Sequence, residues 1–475
     1  MTVEDTSSTP TPLPEQPAPA KLRPIQALGL GLVGMGYGPT LATLGAYLVI
    51  YSPNGPILTI AVVFVVIFAV SAVVSYFARQ YVGRGGLLTY AYKTAGHVAG
   101  YLMGATLLVG NVLLVAVIVA SSAIFALSAG NNMGIDVGGT AAQIVILVII
   151  GAISTVVCLG GPRSAADIGA LLGLVCLPFI TWVLIQGGLK AGVDWDTITA
   201  FDTSTFDMTT FVFGLVLIGS AFFGFEQLTT LAADTEAPRK SIPLVLYGVI
   251  LVGIPVMVLS LVFGASIGVT HYEALEAGES PLSILSDEAG LDFLSIPLDI
   301  LVFLASLALL IAVQTYAAQL VSTMGEIGLL PRWLAVRTQR GIALRSVVAI
   351  GIVSIVTPIV VSVVKDGGPV DTAIYLTEPI GFVWAIAYMI IAVLALWLVV
   401  KARAGMLVGI SSVIVIAGFG GLMIFALKDG FSTLFATEAW LVVISIGALF
   451  ASFWALHAGR TRSGAIDLTQ LDEVE

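Results

Sequence analysis

The chain has 475 residues, of which 58% are apolar and only 10% are charged, and its mean hydropathy is +1.06. A soluble globular protein carries about 25% charged residues, so this composition excludes a water-soluble fold and indicates a polytopic membrane protein. The formal net charge of −10 says little about partners, because the position of each charge relative to the bilayer matters more than the sum. The lipid bilayer is the predicted surrounding, and no nucleic-acid partner is expected.

The two ends of the chain are predicted to be cytoplasmic tails. Residues 1–24 are rich in Pro, Thr and Glu and contain no apolar core, so they are predicted to be disordered and not to form a signal peptide. A short polar tail is predicted at 458–475. The region between them, 25–457, is predicted to be one membrane domain.

Twelve apolar segments fill this domain, each near or above the roughly 20 residues that a helix needs to cross a bilayer. Their predicted limits are 25–50, 56–78, 97–127, 141–160, 165–188, 209–232, 242–268, 293–324, 343–364, 373–400, 406–427 and 436–457. The segments are apolar on all sides, which favours helices over the alternating strands of a barrel. The sequence therefore predicts an all-α integral membrane protein with twelve transmembrane helices.

The basic residues predict the orientation of these helices. If the N-terminus lies in the cytoplasm, all but three of the 19 Lys and Arg residues fall on the cytoplasmic side, as the positive-inside rule requires. The exceptions are Lys190, Lys365 and Lys428. If one span were missed or wrongly assigned, every later loop would move to the other side of the membrane. The distribution of basic residues therefore also supports the count of twelve spans. The chain is predicted to lie in the cytoplasmic membrane with both termini inside, and its oligomeric state is left open.

The first span contains an unusual number of helix breakers. It reads GLVGMGYGPTLATLG over Gly31–Gly45, although glycine costs a helix about 1 kcal/mol and proline about 3 kcal/mol. A central cluster is predicted to unwind the helix, and it comprises Gly34, Gly36, Gly38 and Pro39. The other glycines are predicted to be contacts where helices approach closely, and they are Gly29, Gly31 and Gly45.

The sixth span is interrupted in the same way. Gly219 and Gly224 lie near its middle, and a carboxylate follows at Glu226. Paired interrupted helices in two halves of a chain point to the binding site of a secondary transporter. Unwinding frees N–H groups that attract a carboxylate and C=O groups that accept from an ammonium. The two spans together therefore predict a site that holds an amino acid by its backbone.

Five stretches match motifs of one protein family. Gly34–Gly36 corresponds to a Gly-x-Gly break in span 1, Phe222–Glu226 to an aromatic-rich break in span 6, and Pro238–Pro243 to an Asn-Pro-x-Arg-x-x-Pro loop. Weaker matches lie at Gly85–Tyr90 and Glu326–Pro331. On these motifs the chain resembles, over essentially its whole length, the amino acid–polyamine–organocation (APC) superfamily, in the amino acid permease branch.

The resemblance implies a leucine-transporter-like fold. Spans 1–5 (about 25–188) and spans 6–10 (about 209–400) would be inverted repeats with discontinuous helices 1 and 6, and two extra helices would follow at about 406–457. The substrate site that it implies comprises Leu32, Gly34, Met35, Gly36, Ser220, Phe222, Phe223 and Glu226.

The resemblance also implies roles within this site. The N–H groups of Met35 and Gly36 would bind the substrate carboxylate, and the carbonyls of Leu32, Ser220 and Phe223 would bind its ammonium. Two residues are implied in coupling or gating, namely Glu226 and Phe222.

The predicted function is secondary active transport of an amino acid or related amine by alternating access. Proton symport is the first choice because Glu226 is available, and the coupling ion is then a proton. Span 5 lacks the mid-membrane lysine of some proton-coupled relatives, so sodium symport stays open, as does exchange. A channel is the alternative from another class, although no filter motif or charged ring is present. No cluster with ligand or catalytic spacing occurs, so no enzymatic activity, metal or cofactor is predicted.

Several ionisable residues near the span ends complete the predictions. Asp234 is expected to pair with Lys240. Asp299 and Glu378 are each expected either to contact a cationic substrate or to lie in an outer vestibule. The histidines at span ends or in loops are expected to have no special role, and they are His97, His271 and His457.

Overall fold

The computed structural model describes residues 21–135, 139–276, 279–338, 342–428 and 437–460. Every regular element within these residues is a helix and none is a strand. Twelve helical segments among them are long and apolar enough to cross a membrane. The predicted tails at 1–24 and 458–475 lie outside the described residues except for 21–24 and 458–460. The predicted fold class, all-α with twelve spans, is therefore confirmed.

The first five spans are built from six helices, because the first span is divided. These are α1 (Pro24–Val33), α2 (Tyr37–Tyr51), α3 (Pro56–Gln80), α4 (Leu87–Asn132), α5 (Thr140–Cys158) and α6 (Pro162–Ala191). The predicted limits agree to within a few residues except at span 3, where helix begins at Leu87 and not at 97. Gly96 (φ 77°, ψ −159°) joins residues 87–95 to the crossing helix, so the predicted segment is the part beyond this kink.

The remaining spans follow in the same manner. Their helices are α7 (Trp195–Ile198), α8 (Met208–Ser220), a 3-10 helix (Phe225–Asp234), α9 (Pro238–Thr270), α10 (Tyr272–Glu276), α11 (Pro281–Glu288), α12 (Ser295–Glu326), α13 (Leu344–Lys365), α14 (Pro369–Val400), α15 (Met406–Lys428) and α16 (Thr437–Arg460). Span 6 consists of α8 and the 3-10 helix, so it is divided like span 1. The short helices α7, α10 and α11 lie in the connections between spans.

Helix contacts in the two halves correspond to each other. Span 3 (α4) packs against span 8 (α12), and span 4 (α5) packs against span 9 (α13). Span 5 (α6) packs against span 8 as span 10 (α14) packs against span 3. This exchange of partners is what an inverted repeat of five spans produces. The last two helices, α15 and α16, pack on the outside of α14, and α16 also contacts α4.

Small residues allow the divided first span to approach its neighbours closely. A Cβ atom added to Gly45 would lie 1.9 Å from the Ser260 carbonyl oxygen of α9, and one added to Gly31 would lie 2.6 Å from Val245 Cγ1. The predicted packing role of both glycines is confirmed. Gly29 differs, because its nearest neighbour would be at an ordinary 3.6 Å, so its small size is not required.

Candidate functional site

The break in span 1 lies where the sequence predicts it. Helix α1 ends at Val33 and α2 begins at Tyr37, with Gly34–Gly36 between them. Gly36 has φ 59° and ψ 39°, a left-handed conformation that residues other than glycine adopt at a cost. The break therefore depends on glycine at this position.

The prediction that Gly38 unwinds the span is wrong. Gly38 lies inside α2, and a Cβ atom there would be 2.6 Å from the Ala305 Cβ of α12, so its small size serves close packing. Pro39 follows within the first turn of α2, where a proline needs no hydrogen-bond donor and is tolerated. The unwound segment is therefore confined to three residues.

The break in span 6 has the same construction. Helix α8 ends at Ser220, and the 3-10 helix begins at Phe225 after Gly224, which has φ 88°. At the start of α8, the Asp207 carboxylate accepts hydrogen bonds from the N–H groups of Thr210 (2.9 Å) and Thr209 (3.2 Å). These bonds hold the pKa of Asp207 below its usual value and cap the half-helix whose other end reaches the break.

Both breaks face one cavity of about 250 Å³. Five of the eight predicted site residues line it: Gly34, Met35, Gly36, Ser220 and Phe223. Its other walls come from α4, α12 and α14, which contribute Ile118, Leu309 and Ile374 among others. The cavity extends along α2 as far as Tyr51 and reaches Val370 at the start of α14, which is the outer end in the predicted orientation.

Three predicted site residues do not line this cavity. Leu32 lines a separate space of about 50 Å³ beside α6. Phe222 is fully buried, and its ring packs edge-on against Phe64 of α3 with centroids 5.2 Å apart. Glu226 is fully buried on the far side of the break. The three are therefore placed behind the wall of the cavity.

Glu226 forms a buried pair with Tyr388, a residue that no sequence motif marks. The Tyr388 hydroxyl of α14 donates to Glu226 Oε2 at 2.5 Å, and the Gly224 N–H donates to the same hydroxyl at 3.4 Å. Glu226 Oε1 has no hydrogen-bond partner within the described residues, which is costly for a buried carboxylate. The Phe223 ring lies 6.5 Å from the Tyr388 ring, so Phe223 connects this pair to the cavity.

The backbone groups implied in substrate binding are occupied by turns. The Met35 N–H donates to the Leu32 carbonyl at 3.3 Å, and the Gly36 N–H donates to the Val33 carbonyl at 2.9 Å. The first N–H groups of α2 have no acceptor within the helix, and α2 begins at the cavity wall. The positive end of the α2 dipole therefore faces the cavity, where it favours a negatively charged group.

A family model described as amino acid permease matches residues 26–406, which is most of the chain. The chain belongs to the amino acid permease family. The permease is thus a multi-pass membrane protein, and its resemblance to the APC superfamily is confirmed.

Individual relatives share only about a quarter of their matched residues with this chain. An uncharacterized transporter of Mycobacterium tuberculosis is 27% identical over 309 residues, covering 65% of this chain and 66% of that protein. A transporter of Mycobacterium bovis matches to the same extent. The protein named cationic amino acid transporter 7, chloroplastic, of Arabidopsis thaliana is 24% identical over 337 residues, covering 66% of this chain and 56% of that protein. The match therefore spans 66% of the two mycobacterial proteins and 56% of the Arabidopsis protein.

Asp299 supports the outer rim of the cavity in the permease without lining it. Its buried carboxylate accepts hydrogen bonds from Ser128 Oγ (2.7 Å) and Asn132 Nδ2 (3.0 Å) of α4 and from Ser283 Oγ (2.9 Å) of α11. Helix α11 begins with Pro281, which lines the cavity. Of the two predicted roles, a place near the outer vestibule fits this geometry better than substrate contact. The side chain of Glu378 lies outside the described part, so that prediction stays open.

Replacing Asp299 by alanine is expected to lower the thermal stability of the permease and to expose the connection around α11 to proteases. The change leaves two buried serine hydroxyls, Ser128 and Ser283, without their acceptor, and each such loss costs about 1–3 kcal/mol. Melting temperature and limited proteolysis in detergent measure the effect. Asp292→Ala removes an exposed carboxylate from the same connection and is expected to change neither. Equal behaviour of the two variants would contradict the supporting role.

The opposite end of the permease is closed by a polar network. Arg84 Nη2 lies 3.1 Å from Asp234 Oδ1, and Gln319 Nε2 donates to Asp234 Oδ2 at 2.8 Å. Arg337 donates to Glu326 Oε1 at 2.6 Å and to Gln319 Oε1 at 3.1 Å. The network therefore joins the end of span 6 to α12 and to the connection that follows it.

A backbone clasp strengthens this closed end. The Leu22 N–H donates to the Asp234 carbonyl at 2.7 Å, and the Glu236 N–H donates to the Leu22 carbonyl at 2.9 Å. The segment before α1 is thereby held against the end of span 6. The predicted pairing of Asp234 with Lys240 is wrong, because Arg84 and Gln319 contact the carboxylate instead.

Proposed function

We propose that the permease is a secondary active transporter that moves an amino acid or related amine across the cytoplasmic membrane by alternating access. The observation that carries this proposal is the cavity that both helix breaks line, which extends to one end of the protein while a polar network closes the other. A transporter must open its site to one side at a time. The positive-inside pattern supports an outward-facing state with both termini in the cytoplasm.

The cavity favours an amino acid with an uncharged side chain. Its polar groups are hydroxyls, supplied by Thr40, Ser121, Ser220, Ser306 and Thr377 among others. Among the side chains that the structure describes, none that lines the cavity is charged. A cationic side chain would find no described carboxylate there. The carboxylate of a zwitterion would instead meet the start of α2, and its ammonium the carbonyls of Ser220 and Phe223, two break residues that line the cavity.

Proton symport is the proposed form of coupling. Glu226 is the buried carboxylate adjacent to a break, and Phe223 connects it to the cavity. A carboxylate that gains and loses a proton would change its bond to Tyr388, and the span-6 break and α14 would then shift together. Sodium symport and exchange are the other forms that the sequence leaves open.

Uptake by proteoliposomes tests the proposal. Purified permease is reconstituted, and radiolabelled amino acids with apolar, polar and cationic side chains are offered under an inward proton gradient or under an inward sodium gradient at fixed pH. We expect saturable accumulation of an uncharged amino acid that collapses with a protonophore. Accumulation that follows only sodium would overturn proton coupling. Non-saturating flux with single-channel currents would overturn transport by alternating access.

A further inference from the structure

A second cluster of potential ligands lies outside the cavity, where the crossing part of α4 begins beside α16. The Tyr101 hydroxyl oxygen is 2.9 Å from His457 Nδ1 and 3.5 Å from His97 Nδ1. The two imidazole rings are themselves close, with centroids 4.6 Å apart. Two nitrogen atoms from different spans therefore converge on one phenol oxygen.

Local sequence explains half of this arrangement. His97 and Tyr101 are four residues apart, so they lie on one face of the α4 helix. Gly96 changes the chain direction immediately before them, with φ 77° and ψ −159°. His457 belongs to the last span, and no local feature of the sequence connects it to His97.

Aromatic side chains flank the cluster. The ring of buried Phe453 packs edge-on against Tyr101 at 6.5 Å, and the Trp454 ring lies 6.2 Å from His457. His97 and His457 are half-buried, whereas Tyr101 is almost fully buried. The cluster is thus held in place by packing, and its two nitrogen ligands stay within reach of solvent.

We propose that His97, His457 and Tyr101 bind a divalent transition-metal ion such as Zn²⁺ or Cu²⁺. Imidazole nitrogen is a preferred ligand of these ions. Metal–nitrogen bonds of about 2.0–2.1 Å at tetrahedral angles separate ligand atoms by about 3.3–3.4 Å. The two separations between an imidazole nitrogen and the phenol oxygen, 2.9 and 3.5 Å, bracket this value.

Metal binding at this site would release one proton. Neutral imidazoles offer their Nδ1 lone pairs without losing a proton, and the phenol releases one proton to solvent when its oxygen binds the ion. Water completes the coordination shell from the exposed side. Within the described residues no third His, Cys, Asp or Glu side chain joins the two histidines, so the proposed third ligand is the Tyr101 phenol oxygen.

The ligands predict which metal ions bind and which helices a bound ion would join. Mg²⁺ and Ca²⁺ prefer oxygen ligands, so they are expected not to bind. A bound transition-metal ion would join α4, whose later turns line the cavity with Leu114 and Phe125, to α16. The site would thus link the last span to a wall of the cavity.

Metal binding to the purified full-length protein tests this site. After treatment with a chelator, the permease is titrated with Zn²⁺ in a calorimeter, and bound metal is counted by elemental analysis. We expect one Zn²⁺ per chain, release of about one proton, and at least tenfold weaker binding in His97→Ala and in His457→Ala. Tyr101→Phe is expected to bind more weakly and to release no proton.

His271→Ala is the matched control, because this histidine lies in a connection and contacts Glu288 at 3.4 Å. It is expected to bind Zn²⁺ like the unchanged protein. Because a variant can fail to fold, the unchanged protein is also titrated with Co²⁺, whose visible absorption reports nitrogen ligation directly. Stoichiometric binding that survives the double variant His97→Ala/His457→Ala, or a Co²⁺ spectrum like that of free aqueous ion, would overturn the proposal.

Discussion

Substituting Gly36 by leucine is expected to abolish substrate binding and uptake while the permease still inserts into the membrane. Gly36 lines the cavity at the break, and its φ of 59° is left-handed. A Cβ atom there would lie 2.6 Å from Leu309 Cδ2, so a leucine would both strain the break and occupy the cavity. Gly36→Ala adds the backbone cost, about 1–2 kcal/mol, and a contact with the flexible end of the Leu309 side chain, so we expect binding to be roughly tenfold weaker.

Two other glycines provide matched controls for this series. Gly29→Ala lies in the same span, with its nearest neighbour at 3.6 Å, and Gly420→Leu lies in α15, where nothing is within 4 Å of the added Cβ. Both are expected to transport like the unchanged protein. Equilibrium binding and initial uptake rates, normalised to the amount of reconstituted protein, measure the effects. Unimpaired uptake by Gly36→Leu would mean that the break in span 1 is not part of the substrate site.

Hydropathy and glycine chemistry predicted most of the fold. An apolar run of sufficient length has one stable solution in a bilayer, because a helix satisfies all of its backbone groups internally. The breaks were also predictable, since Gly36 and Gly224 take left-handed conformations that few other residues accept. These features depend on local chemistry, and local chemistry can be read from the chain.

Contacts between spans were harder to predict. Gly38 was predicted to lie in the break, whereas it belongs to α2 and packs against Ala305. It paired Asp234 with a nearby lysine in the chain, whereas the partner is Arg84, 150 residues away. Each of these outcomes depends on how a helix is rotated about its axis relative to its neighbours. A single apolar span carries little information about that rotation, because its faces are almost equally apolar.

Tyr388 shows the same limit within the candidate site. Span 10 places a tyrosine among apolar residues, and the pattern around it does not distinguish a packing role from a polar one. Only the packing of α14 against span 6 brings its hydroxyl to Glu226. A buried carboxylate at membrane depth does predict that some partner exists. The identity of the partner needs the structure.

Replacing Glu226 by glutamine is expected to remove uptake driven by a proton gradient while exchange of bound substrate across the membrane continues. The amide keeps the size of the side chain, and its oxygen can still accept the Tyr388 hydroxyl hydrogen bond, so the break and the cavity should keep their shape. The amide cannot bind and release a proton over the physiological pH range, so the proton gradient can no longer drive uptake. Proteoliposomes loaded with unlabelled substrate separate the two activities.

Glu236→Gln is the control for this experiment, because Glu236 is an exposed acid ten residues further along the same segment. It is expected to retain both proton-driven uptake and exchange. Loss of both activities in Glu226→Gln would mean that the carboxylate maintains the site and does not couple it. Full proton-driven uptake in that variant would instead place coupling elsewhere. Only the selective loss fits a carboxylate that lies behind the cavity wall and reaches the substrate through Phe223 and Tyr388.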